Sequence, residues 1–161
     1  MRMQLKDLVS LVVAVAISLV VGGLGGIATS SSVATWYQDL NKPPWNPPGW
    51  VFGPVWTLLY ILMGVALWLV WRSGWDSPEG RMALILFGVQ LLFNLLWSLI
   101  FFGLRKPGWA LLEIGLLWVL ILATLVQFYR LRPEAGLLLV PYQLWVTFAT
   151  ALNAAIWWLN R

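Results

Sequence analysis

Neither cysteine nor histidine occurs among the 161 residues of the chain. The first absence removes any disulfide framework and any thiolate site. The second removes the commonest metal and haem ligand, and the side chain that shuttles protons near neutral pH. Zinc chemistry, Ser-His triads and His-ligated haem are excluded with them. Charge is scarce as well: 10% of the residues are charged, against about 25% in a soluble domain, and 61% are hydrophobic. That balance belongs to an all-α integral membrane protein whose first partner is the lipid bilayer. The net charge of +4 is scattered over the termini and loops. It speaks for membrane topology and against nucleic-acid binding, which needs a basic stripe on a water-facing surface.

What the chain has in excess is tryptophan. Thirteen are more than two interfacial belts around so small a bundle require. The apolar runs divide into five segments long enough to cross a bilayer, about 5–28, 50–71, 82–104, 108–129 and 134–159. The expected architecture is a single membrane domain over 1–161, a five transmembrane helix bundle with a Pro/Trp-rich loop, about 29–49, between helices 1 and 2. The first run exceeds a secretory signal core of about 7 to 15 residues, and Asp7 does not suit a signal's basic start. An uncleaved helix is therefore expected, despite the passable cleavage site Ser32-Val33-Ala34. Within it Ala14, Ser18, Gly22 and Gly26 recur every four residues, a face that lets another helix approach closely. Pro141 inside the fifth segment should bend that helix. Arg2, Lys6, Arg72, Arg81, Arg130 and Arg132 share the N-terminal side, against Lys42, Arg105, Lys106 and Arg161 on the other. This places the N-terminus in the cytoplasm and the proline loop outside.

The loop is the most distinctive stretch. Pro43, Pro44, Pro47 and Pro48 keep Lys42 to Pro48 out of helix and paired strand, and Trp45 sits among them with Trp36, Tyr37 and Trp50 on either side. Such a stiff aromatic loop could act as a lid. Beyond it Phe52, Trp56, Tyr60 and Met63 fall on one helical face. Gln90, Asn94 and Trp97 share a face of the third segment, and Tyr142, Trp145, Ala149 and Asn153 one of the fifth. Amides are expensive at membrane depth and turn inward. Two readings of these stripes stand side by side: the wall of a cavity for a flat, mostly apolar guest, or interhelical hydrogen bonding of roughly 0.6 to 2 kcal/mol per amide. Glu113 lies about two turns inside the fourth segment, where an interfacial ion pair with Arg105 or Lys106, or snorkelling to the interface, is expected, with a proton-coupled role as the alternative.

Taken together, these residues resemble the TspO/MBR family, the tryptophan-rich sensory proteins and the mitochondrial translocator protein. The matching positions are Trp36-Tyr37, Lys42-Pro43, Trp45, Pro47-Pro48, Val51-Phe52, Trp56 and Leu59-Tyr60. They continue with Gln90-Leu91, Asn94, Trp97, Phe101-Phe102, Pro141-Tyr142, Trp145, Phe148-Ala149 and Leu152-Asn153. The resemblance implies a homodimer of five-helix bundles in a bacterial cell membrane. It also implies a pocket under the first loop for protoporphyrin IX and, in some members, sterols. Tyr37, Trp56, Asn94, Trp145 and Ala149 match pocket positions of the family. Trp56 and Trp145 match tryptophans implicated in light-dependent porphyrin breakdown, and so are candidates for a catalytic role. The family's sterol motif ends the fifth span with a tyrosine, which Leu152 to Arg161 lacks.

The expected function is therefore a membrane receptor or carrier for porphyrin-type tetrapyrroles, with no cofactor and no metal. Tyr37, Trp45, Phe52, Trp56, Tyr60, Gln90, Asn94, Trp97, Tyr142, Trp145, Ala149 and Asn153 would contact the guest, and Lys42 would pair with a propionate. The alternatives are a photo-oxidative porphyrin-degrading protein and a structural or signalling partner that binds no ligand.

Overall fold

The computed structural model describes residues 4–161. Arg2, counted in the charge asymmetry, lies outside the described residues. The elements are α1 (Leu5–Ala34), the short α2 (Trp36–Asp39), α3 (Gly49–Arg72), α4 (Pro78–Ser98), a π-helical turn (Leu99–Gly103), α5 (Pro107–Leu131), α6 (Pro133–Leu138) and α7 (Val140–Leu159). Counting α4 with its π-turn and α6 with α7, five of them are long and apolar enough to cross a membrane. The protein is a five-span, all-α membrane bundle.

Local chemistry explains where the elements begin and end. Ser77 caps α4, its hydroxyl accepting from the Gly80 amide at 3.0 Å, with Pro78 in the first turn where its missing N–H costs nothing. Pro107 opens α5 in the same way. Pro141 has no amide to donate to the Leu137 carbonyl, and the fifth span accordingly breaks between α6 and α7 at Leu139. The first span departs most from its expected length: α1 continues six residues past Ala28 to Ala34, and α2 follows at once. The connecting loop is correspondingly shorter than 29–49. Thr29, Ser30 and Thr35 turn their hydroxyls back onto carbonyls three or four residues earlier, which satisfies these polar side chains along the helix. The irregular part is confined to the proline stretch.

Lipid offers no hydrophobic drive for helix association, so close backbone approach and hydrogen bonds must supply it. α1 and α3 run antiparallel in intimate contact. A Cβ at Gly64 would run into the Val15 backbone, and one at Gly22 into the Tyr60 ring. Trp68 Nε1 donates to Ser10 Oγ at 3.1 Å further along. The centre of the bundle is filled by Met63, Ala66, Phe87, Leu117, Ile121, Phe128 and Val146. Glu113 joins this interior: it shares a helix face with Ala110, Ile114, Leu117 and Ile121, and both carboxylate oxygens are buried without a hydrogen-bond partner among the described residues. The expected interfacial ion pair is absent, because Arg105 and Lys106 precede α5 at its exposed end.

Gly64→Ala is expected to lower stability by about 1–3 kcal/mol through overpacking against Val15, read as the drop in thermal unfolding midpoint in detergent. Gly26→Ala, where a Cβ meets nothing within 4 Å, should leave it within about 0.5 kcal/mol.

Candidate functional site

Between the loop-side halves of α1, α3, α4 and α7 lies a cavity of about 670 Å³, within the range of about 300–1,000 Å³ typical of ligand pockets. Its α3 wall is the helical stripe read from sequence, Phe52, Trp56 and Tyr60. Trp56 stacks on Tyr60 with ring centroids 5.7 Å apart. Opposite, α7 contributes Trp145, Phe148, Ala149, Leu152, Asn153 and Ile156. Trp145 meets Phe52 edge-on at 6.0 Å and Phe148 at 5.4 Å, so the two walls join through aromatic contacts. Trp145 Nε1 itself is buried and without a hydrogen-bond partner among the described residues.

The third wall depends on the π-turn. The Leu104 amide donates to the Leu99 carbonyl at 2.8 Å, five residues back, and the extra residue in the turn brings Phe101 and Phe102 to the cavity. They pack with Trp97 at 5.5 and 6.0 Å and with Tyr37 of α2 at 6.3 and 5.5 Å. Tyr37 closes the loop end and donates to Asn46 Oδ1 at 3.0 Å. Burial pushes its phenol above the ordinary value and the Asn46 bond works against that shift.

The loop itself is fastened down. Lys42 Nζ donates to the carbonyls of Tyr37, Leu40 and Gln38 at 2.6, 3.0 and 3.1 Å and lies 4.9 Å from the Tyr37 ring centroid. Its ammonium is committed to holding α2, and Lys42 is not among the cavity-lining residues. At the far side, the Asn41 amide and carbonyl form a two-way pair with the Asn160 side chain, both at 2.9 Å. Trp45 leans edge-on against Phe148 at 5.8 Å but is half exposed, on the outer side of the wall.

Tyr37, Phe52, Trp56, Tyr60, Trp97, Trp145, Ala149 and Asn153 thus come together around one hollow. Gln90, Asn94 and Tyr142 do not line it. They form a buried chain behind Tyr60: Tyr60 Oη donates to Asn94 Oδ1, Asn94 Nδ2 to Tyr142 Oη at 2.9 Å, and Tyr142 Oη to Gln90 Oε1 at 2.9 Å. Asn153 touches the cavity, yet its amide is spent, accepting from Trp97 Nε1 at 3.0 Å and donating to the Pro107 carbonyl at 2.8 Å. The amides expected at the guest's polar edges are therefore the glue of the bundle. Sequence reasoning did not place Phe101, Phe102, Phe148 or α1 in the wall. Gly22, Gly23, Gly25, Gly26 and Thr29 all line it, and the small-residue repeat was the signal available for them.

With this geometry in place, the sequence profile of the TspO/MBR family matches residues 14–159. The chain belongs to the TspO/MBR family. It is 44% identical to the tryptophan-rich protein TspO of Chlorobaculum tepidum over 155 residues, covering 96% of this chain and 98% of that protein. Identity to the tryptophan-rich protein TspO of Archaeoglobus fulgidus is 42%, covering 96% and 99%. The translocator protein of Homo sapiens is 44% identical over 123 residues, covering 76% of this chain and 73% of that protein. Membership of TspO/MBR, together with five apolar spans, makes this a multi-pass integral membrane protein.

Tyr142→Phe leaves Gln90 Oε1 without its donor and Asn94 Nδ2 without its acceptor. It is expected to cost about 1–3 kcal/mol, measured as a shift in the unfolding midpoint.

Proposed function

We propose that this TspO/MBR protein is a membrane receptor or carrier for porphyrin-type tetrapyrroles, held flat between the Trp56 and Trp145 walls. The observation that carries the reading is the aromatic-walled hollow itself, with Trp56 and Trp145 on facing walls. Aromatic faces suit a planar π-system. Lys42 and the Gln90, Asn94 and Tyr142 chain play no part in contacting the guest. Their hydrogen bonds are already made within the protein.

The test is a titration of purified protein with protoporphyrin IX, followed by quenching of tryptophan fluorescence. Trp145→Leu removes an aromatic face from the wall and should weaken binding roughly 3- to 10-fold, the worth of about one aromatic contact. Tyr142→Phe should leave the affinity within about twofold while lowering stability. Unchanged affinity in a Trp56→Leu and Trp145→Leu double variant contradicts the reading.

A second reading, photo-oxidative degradation of the porphyrin, is favoured by one feature: Trp56 and Trp145, the candidates for the redox step, both face the same cavity. Illumination with and without oxygen separates the two. A carrier returns the porphyrin unaltered, whereas a degrader yields a spectrally distinct product that Trp56→Phe abolishes.

A further inference from the structure

We infer that the cavity is loaded sideways from the bilayer through a glycine-lined slot between α1 and α3, which makes its guest a membrane-dissolved amphiphile. The inference rests on the ligand-site reading above and adds the route and the phase from which the ligand comes.

The contact between α1 and α3 is close only over part of their length. From Ser10 with Trp68, through Val15 with Gly64, to Gly22 with Tyr60, the helices touch directly. Past that point the contact ends. A Cβ placed on Gly23 or Gly26 of α1, or on Gly49 or Gly53 of α3, would meet nothing within 4 Å. These four glycines all line the cavity and all are exposed. By contrast, no cavity-lining residue of α4, the π-turn or α7 is exposed among the described residues. The hollow is therefore sealed on those sides and open where α1 and α3 part.

Depth follows from helix length. The 30 residues of α1 span about 45 Å at about 1.5 Å per residue, against a hydrocarbon core of about 30 Å. Centred on that core, roughly five residues at each end stand outside it. Gly23 and Gly26 then face acyl chains, and Ser30 lies at headgroup level. The slot opens onto lipid; the Thr57 hydroxyl on its α3 edge is bonded to the Gly53 carbonyl at 2.8 Å, and Ser30 and Gln38 line the cavity at the upper rim. A flat molecule dissolved in the leaflet can slide its apolar body between the glycines while its polar substituents stay near Ser30 and Gln38. The fastened loop need not open. Lys42, Asn41 and Asn46 hold it shut through the bonds described above, which argues against entry from water beneath it.

The absence of native cysteine allows a direct test that uses no porphyrin. Ala149→Cys places a single thiol on the cavity wall in protein reconstituted into liposomes. Its labelling is timed by mass spectrometry with an apolar methanethiosulfonate (benzyl) and a charged one (trimethylammonium-ethyl). Each rate is normalised to that reagent's reaction with a free thiol. The apolar reagent should react at least tenfold faster, and adding Gly26→Trp or Gly53→Trp should slow it at least tenfold. An apolar rate unchanged in both tryptophan variants, each shown to be folded by its unfolding midpoint, overturns the slot. Equal normalised rates for the two reagents do the same. Failure of protoporphyrin IX to bind the unmodified protein would remove the proposed ligand class and leave the labelling result standing.

Discussion

The bundle depends on a one-way chain of hydrogen bonds at its centre. Tyr60 on α3 donates to Asn94 on α4, Asn94 to Tyr142 on α7, and Tyr142 back to Gln90 on α4. Three spans are tied by groups that have no water to turn to, so opening any link leaves a polar atom in an apolar surrounding. The chain also fixes where the hollow ends. Tyr60 is its first member and a cavity-lining residue at once, so below its ring the interior is solid with Met63, Phe87 and Val146. Above it, aromatic rings meet edge to face and leave space between them.

Two kinds of helix contact divide the labour. The small residues of α1 let α3 approach until backbone meets backbone at Gly64 and Val15, which anchors the N-terminal half of α1. The same repeat, carried on toward Ala34, has no partner to meet. A stripe of small residues builds both a seam and a gap, depending on whether the facing helix stays close. The fastened loop and the π-turn complete the enclosure from the other sides, each by bending backbone that a regular helix would have run past the cavity.

Much of this was legible in the residues alone. Length and hydropathy gave the five spans, proline chemistry gave the irregular loop and the break before Pro141, and periodicity put Phe52, Trp56 and Tyr60 on one face. Periodicity does not report depth, however. Gln90, Asn94 and Trp97 share a face of α4, but the hollow ends between Asn94 and Trp97, so only the tryptophan reaches it. Lys42 illustrates a different limit: its partners are the main-chain carbonyls of Tyr37, Gln38 and Leu40, in and just after a four-residue helix that a hydropathy reading does not show. Glu113 was assigned to the interface by its nearness in sequence to Arg105 and Lys106. Its position on the buried face of α5 overrides that nearness.

The central claim is that a planar guest lies between the Trp56 and Trp145 walls. An experimental structure of the protein with protoporphyrin IX tests this most directly. The account predicts macrocycle density inside the hollow, bounded by those two rings. Density on the lipid-facing surface of the bundle, with the hollow unchanged, would contradict it.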